Sequence, residues 1–239
     1  MTTQVTTTGI TFNDSTVQTT AATPAYIQSQ GAAVDIQTFN STGTWTKPTG
    51  GQTMAKIQVW GAGGAGPALT DDVAGGGGGG GYSEITVPLS YLSATATATV
   101  GVNVNTGSGP GGLKGSDGGT SSFPIDGAGA PKSGTLTAEG GKGYDVYNNT
   151  IPLGGWGLTE QGGGALILTL AGDGSVTSTY RNNTIYAGGK GKTVGVSAYT
   201  SQFGGNGGQT DSGAGVQPGG GGGAGTRGGA AGRVTVTCW

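Results

Sequence analysis

Residues 75–89 read GGGGGGGYSEITVPL, and the two halves of this stretch make opposite demands on the backbone. In the second half, Ile85, Val87 and Leu89 alternate with Glu84, Thr86 and Pro88, the period-2 pattern of a strand with one buried face. In the first half, seven consecutive glycines lose more backbone entropy on ordering than any other sequence would, so an ordered state requires a compensating interaction. One geometry supplies it. A left-handed extended helix with three residues per turn, the polyproline II form, has no internal hydrogen bonds, but glycine in that form keeps its N–H and has no Cβ. Several such helices can stand side by side and exchange N–H to carbonyl bonds, with weak Cα–H to carbonyl contacts between them. At about 3.1 Å per residue the run at 75–81 would span roughly 22 Å, the breadth of a small domain.

Both signals recur outward along the chain. Glycine tracts lie at 61–66, 188–195, 204–208 and 219–232. Between them, Ala55, Ile57 and Val59 alternate with Lys56, Gln58 and Trp60. Ala94, Ala96, Ala98, Val100, Val102 and Val104 share one face opposite Thr95, Thr97, Thr99, Gly101, Asn103 and Asn105. Leu166, Ile167, Leu168 and Leu170 read as a strand buried on both faces, and Val234, Val236 and Cys238 alternate again at the end. No helical period appears, since interior glycine costs about 1 kcal/mol relative to alanine. The fold expected is all-β: short antiparallel strands combined with glycine-rich, polyproline-II-type (polyglycine II) helices over residues 38–239, preceded by an extended N-terminal arm over 1–37.

That arm is Thr-rich and nearly free of glycine. Ile10, Phe12 and Val17 are its main apolar residues, and Asn13, Asp14 and Ser15 mark a turn, which predicts a short hairpin. An isolated hairpin is marginal in water. Another chain must bury Ile10, Phe12 and Val17, which makes the arm an attachment and oligomerisation segment.

Composition removes several function classes. The 239 residues include 57 glycines, no histidine and one cysteine, so no Ser/His/Asp, Cys/His or zinc set can be assembled. Ten cations scattered between Lys47 and Arg233, with a net charge of −2, form no basic stripe for nucleic acid or anionic lipid. No basic, apolar leader opens the sequence and no stretch has the length of a bilayer span, so synthesis in a cytosol without membrane insertion is expected. Gly61, Gly63 and Gly66 have dinucleotide-fingerprint spacing, but Pro67 and Asp71-Asp72 follow where a phosphate-binding helix would start. No cofactor, metal or enzymatic activity is expected. Cys238, on the inward face of its strand, reads as a buried inert thiol.

The second half holds one constellation of recognition residues. Asn148-Asn149-Thr150-Ile151 recurs as Asn182-Asn183-Thr184-Ile185, preceded by Tyr147 and Tyr180, with Tyr144, Trp156, Tyr186, Tyr199 and Phe203 around them. Aromatic faces beside asparagine amides suit sugar rings, which are apolar on one face and polar at the rim. The same aromatics would equally serve to cap glycine segments or fill a strand core.

Two segments together carry a family resemblance. Residues 9–22, Gly9-Ile10-Thr11-Phe12-Asn13-Asp14-Ser15-Thr16-Val17 and onward, resemble a segment recurring in tail-fibre and related structural proteins of tailed bacteriophages. Gly43-Thr44-Trp45-Thr46-Lys47-Pro48, Lys56-Ile57-Gln58-Val59-Trp60-Gly61 and the later tracts are similar to the glycine-rich domain of phage tail proteins. Ser15 departs from the glycine that commonly follows aspartate at that turn. The resemblance implies a virion protein, expected as a homotrimer. Its arm would attach to the tail or fibre base, and its loops, including Tyr144, Tyr147, Asn148, Trp156, Tyr180, Asn182, Tyr186, Tyr199 and Phe203, would contact host-surface polysaccharide as an adhesin. A capsid, neck or tail decoration protein with no receptor role is the alternative. An ice-binding protein, from the Thr95, Thr97 and Thr99 row, is a remote third.

Overall fold

The computed structural model describes residues 4–6, 9–11, 17–18, 33–67, 76–103, 115–131, 133–143, 208, 214–223 and 228–239. In chain order these hold β1 (Gln4–Thr6), β2 (Gly9–Thr11), β3 (Val17–Gln18), β4 (Asp35–Phe39), β5 (Gly43–Thr46), β6 (Met54–Trp60) and β7 (Tyr82–Pro88). A single 3₁₀ turn (Leu89–Tyr91) leads to β8 (Thr95–Ala98), β9 (Ser121–Ile125), β10 (Gly134–Ala138) and β11 (Arg233–Cys238). Among the described residues there is no α-helix.

The main sheet is antiparallel, in the order β4-β11-β6-β7. Its register sets Val59 beside Val234, Ile57 beside Val236 and Ala55 beside Cys238, and all six are fully buried. The alternation in the sequence thus selects the inner face. The opposing layer consists of two antiparallel pairs, β5-β8 and β9-β10, joined by reciprocal 2.9 Å bonds between Thr99 and Ser122. Trp45, Ala96, Ala98, Phe123, Ile125, Leu136 and Ala138 face the main sheet and complete one core. Each large apolar side chain so buried contributes about 1.5–3 kcal/mol. Trp45 meets Phe123 edge-on, with centroids 5.7 Å apart. The Trp45 Nε1 has no hydrogen-bond partner among the described residues, so packing holds this ring. Ser83 Oγ donates to the Thr137 carbonyl at 2.6 Å and ties β7 to β10.

Two details of the strands differ from the sequence pattern. The run from Ala94 was expected to continue inward through Val102, yet β8 ends at Ala98 and Val102 is 67% exposed. Beyond Val100 the chain changes partners. Gly101 N donates to Ser121 Oγ at 2.8 Å, the Gly101 carbonyl accepts from Gly232 N at 2.9 Å, and the Val102 carbonyl accepts from Gly119 N at 3.3 Å. Trp60, on the polar side of the β6 alternation, is buried against Tyr82, with centroids 5.0 Å apart. Leu166–Leu170 and Val104 lie outside the described residues.

The glycine segments pack backbone to backbone beside this core. Gly61 N donates to Gly81 O and Gly64 N to Gly78 O; Ala62 N donates to Gly119 O and Ala65 N to Ser116 O; Gly63 N donates to Ala230 O. Successive N–H groups of this segment therefore address three different neighbours, and the same neighbour returns three residues later. The segment at 76–81 repeats the pattern: Gly77 and Gly80 donate to Gly222 and Gly219, while Gly78 and Gly81 donate to Lys142 and Glu139. The stretch at 61–66 also accepts from Gly141 at Ala62 O and from Gly222 at Gly64 O, so five other segments bond to it.

Such contact leaves no room for side chains on most faces. A Cβ on Gly61, Gly64, Gly77 or Gly141 would stand well inside contact distance of the carbonyl of Glu139, Lys142, Gly64 or Gly78, respectively. Ala62 and Ala65, three positions apart, are fully buried with their methyls accommodated. The order Gly-Ala-Gly-Gly-Ala-Gly over 61–66 thus sorts the faces of the segment by residue size.

At the N-terminus, β2 and β3 pair antiparallel, and β1 adds a third strand through Val5 opposite Ile10. The main sheet begins at Asp35 in β4.

Gly64→Ala and Gly141→Ala are expected to cost about 1–3 kcal/mol or more through overpacking against rigid carbonyls. Ala65→Gly should cost about 1 kcal/mol, since it removes one buried methyl from a face that already admits it. Thermal unfolding of the three variants checks the order, with both alanine variants melting below Ala65→Gly.

Candidate functional site

The β5–β6 connection, residues 47–53, forms one wall of an open cleft of about 530 Å³, with Leu89 and Ser90 opposite. Its shape is set by backbone anchors. Lys47 N donates to Ala94 O at 2.9 Å and extends the β5-β8 ladder by one residue. Pro48 has no N–H to continue it. Gly51 turns the chain at φ +89°, a conformation that side chains rarely adopt. Thr53 N and Met54 N both donate to Trp239 O, at 2.8 and 3.0 Å, and Leu89 N donates to Thr53 O at 2.7 Å. Gln52 lines the cleft with its amide held from behind: Nε2 donates to Ala33 O at 2.6 Å, while Oε1 is buried with no partner among the described residues.

A second cleft, of about 400 Å³, lies between the β4–β5 turn at Asn40, Ser41 and Thr42 and the exposed Val102 and Asn103. Here the polar groups are engaged with one another. Arg233 Nε donates to Asn40 Oδ1 at 2.9 Å, and Gln217 Nε2 donates to Asn40 O and Gly232 O at 3.1 and 2.7 Å. Val100 N donates to Thr42 Oγ1 at 3.0 Å. On the outer face of the main sheet, Lys56 pairs with Glu84 at 2.9 Å, and Gln58 Nε2 donates to Tyr82 Oη at 2.7 Å. Lys142 pairs with Asp117 at 2.9 Å.

Cys238 sits at the inner end of β11, fully buried. Burial, and secondarily the Asp35 charge, push its thiol up from an ordinary value of 9.0 to about 11, against a lowering influence from Lys47. The thiolate is the reactive form, so this cysteine is a packing element.

Tyr144, Tyr147, Asn148, Trp156, Tyr180, Asn182, Tyr186, Tyr199 and Phe203 all lie outside the described residues, as does Phe12. Ile10 and Val17 fall on adjacent strands one register step apart, Ile10 opposite Gln18 and Val17 opposite Thr11. Thr95, Thr97 and Thr99 are exposed, and the register sets Thr46 opposite Thr95 and Thr44 opposite Thr97. Sequence reasoning passed over Lys47 and Gln52. The signal available was Gly50-Gly51 between two alternating runs, which marks a turn but carries no chemistry.

The profile of the glycine-rich domain matches residues 37–238. The chain belongs to the glycine-rich domain family. The two ends of the match meet in space, because Gln37 of β4 pairs with Val236 and Asp35 with Cys238, so this glycine-rich domain is closed by adjacent strands. A comparison with curated proteins gave no match.

In native protein the Cys238 thiol is expected to resist alkylation at pH 8 and to react at the unfolding rate. Because its folded value is raised, its contribution to stability is complete below about pH 9 and is lost as the pH climbs towards 11. The stability difference between wild type and Cys238→Ala, followed by denaturant unfolding across that window, should therefore shift against wild type as the pH rises.

Proposed function

We propose that this glycine-rich domain is a bacteriophage virion structural protein, a tail fibre or fibre-tip adhesin. In this reading it attaches as a homotrimer through its N-terminal strands to the tail or fibre base and presents loops to host-surface polysaccharide. The observation that carries the proposal is the backbone-to-backbone packing of the glycine segments. Partners that recur every third residue are the bonding pattern of polyglycine II helices, and we read segments 61–66 and 76–81 as such helices. A body whose segments are each bonded to several neighbours resists shear, which suits a part that transmits mechanical load. It also leaves recognition to the loops between segments, since surface loops carry variation without cost to the scaffold. The resemblance of residues 9–22 and 39–64 to phage tail proteins supports the virion setting.

Gold-labelled antibody against this chain on purified particles tests the proposal. Label at fibre or tail tips is expected; label over the capsid or neck would favour the decoration reading, and unlabelled particles would refute the virion assignment. In the adhesin, alanine at Trp156, Tyr147 and Tyr180 lowers host adsorption while particles retain the protein, whereas polar substitutions at Ile10 and Phe12 strip it from particles. The exposed square of Thr44, Thr46, Thr95 and Thr97 is the one observation that favours the ice-binding reading. Thermal hysteresis above buffer would establish it in place of adhesion; none is expected.

A further inference from the structure

We propose that the cleft beside the β5–β6 connection binds a carboxylated sugar, such as a uronic acid unit of a surface polysaccharide. Its volume of about 530 Å³ lies within the range of small-molecule sites and suits one or two pyranose rings. Among the described cations, Lys56 and Lys142 are held by carboxylates and Arg233 by Asn40. Lys47 has no such partner among the described residues and lines the cleft. An ammonium in that position offers three donors to a carboxylate, a charge-assisted contact about twice as strong as a neutral one.

The second requirement of an acidic sugar is hydroxyl recognition. Thr49, Thr53 and Ser90 are exposed around the same cleft. Gln52 adds the more telling group. Its Nε2 is committed to Ala33 O, which fixes the orientation of the amide, and its Oε1 is a buried acceptor without a donor among the described residues. Burying an acceptor unsatisfied is unfavourable, and a sugar hydroxyl entering the cleft supplies the missing donor after a small displacement of the wall. Pro48, half-buried at the cleft, offers apolar surface for the C–H face of a ring. A neutral sugar would leave Lys47 unpaired, and a bare anion would leave Gln52 Oε1 unpaired. A carboxylated sugar answers both. Among the described residues no aromatic ring lines the cleft, so single-site affinity in the millimolar range is expected, raised on a polymer by several copies of the site acting together.

The biological use of this site rests on the host-glycan reading above; the binding itself does not. The test is a titration of the full ¹⁵N-labelled chain, followed by amide NMR, with the methyl glycosides of glucuronic and galacturonic acid and, as matched neutral probes, methyl glucoside and methyl galactoside. At least one uronide should shift the Gly51 amide and the Gln52 side-chain amide with a midpoint of a few millimolar, and its neutral counterpart should bind about tenfold more weakly. Lys47→Met should remove the preference for the uronide while the amides of β6 and β11 keep their positions, which reports an intact fold. No shift with either uronide, an equal response to the neutral sugar, or a preference that survives Lys47→Met would overturn the proposal. Failure here removes the cleft as a site and leaves the particle location untouched. Unlabelled particles would remove the virion reading and leave a positive titration standing.

Discussion

The constraint on which this structure depends is the distance between neighbouring backbones in its glycine segments. Gly64 N donates to Gly78 O at 2.8 Å, Gly78 N to Lys142 O at 2.8 Å, and Gly222 N to Gly64 O at 3.0 Å, so carbonyls of one segment lie where the Cβ atoms of the next would be. Glycine is required there for closeness of approach more than for its range of φ. Of the glycines in these segments, Gly219 at φ +75° does need the left-handed region, at the turn that brings residues 219–223 alongside Gly80 and Gly77. The entropy cost of ordering so many glycines is offset by the N–H to carbonyl bonds that run between segments.

The side-chain core and the glycine packing are two solutions to burial joined in one chain. Strand β6 runs directly into the segment at 61–66, and β7 leaves the segment at 76–81, so both of these glycine segments extend core strands. Gly101 and Ser121 form the seam. Ser121 Oγ, fully buried, accepts from Gly101 N where the apolar layer gives way to backbone packing, and Gly232 N returns from the far side to the Gly101 carbonyl. This seam explains why Val102 faces solvent although the alternation places it with Val100. A period-2 pattern reports an inner face only while the strand has a sheet to face.

Much of the architecture was therefore legible. The alternations at 55–59, 85–89 and 234–238 named residues of the core, Ile85 at its partly buried margin, because each belongs to a sandwich core with one dry face. The turn at Asn13, Asp14 and Ser15 predicted the pairing of β2 with β3, though nothing in β1 beyond three residues of moderate β propensity announced a third strand. What was not legible depends on register and on contacts distant in sequence. Nothing in the sequence around Lys47 and Gln52 marked them as a pair, and only the anchors from Ala33, Ala94 and Trp239 place them around a common cleft. Trp60 read as outward-facing because its burial against Tyr82 follows from the β6–β7 register and not from its own neighbours in the sequence.

The central claim is that backbone bonds between glycine segments are as permanent as the sheet ladder. Amide hydrogen exchange resolved at Gly64, Gly77, Gly78, Gly80 and Gly81 tests it most directly. The account predicts protection matching that of Ile57 and Val236 in the core strands, since opening any one segment must break bonds to several others. Exchange at those glycines near the rate of an unstructured chain, with β6 and β11 still protected, would contradict it.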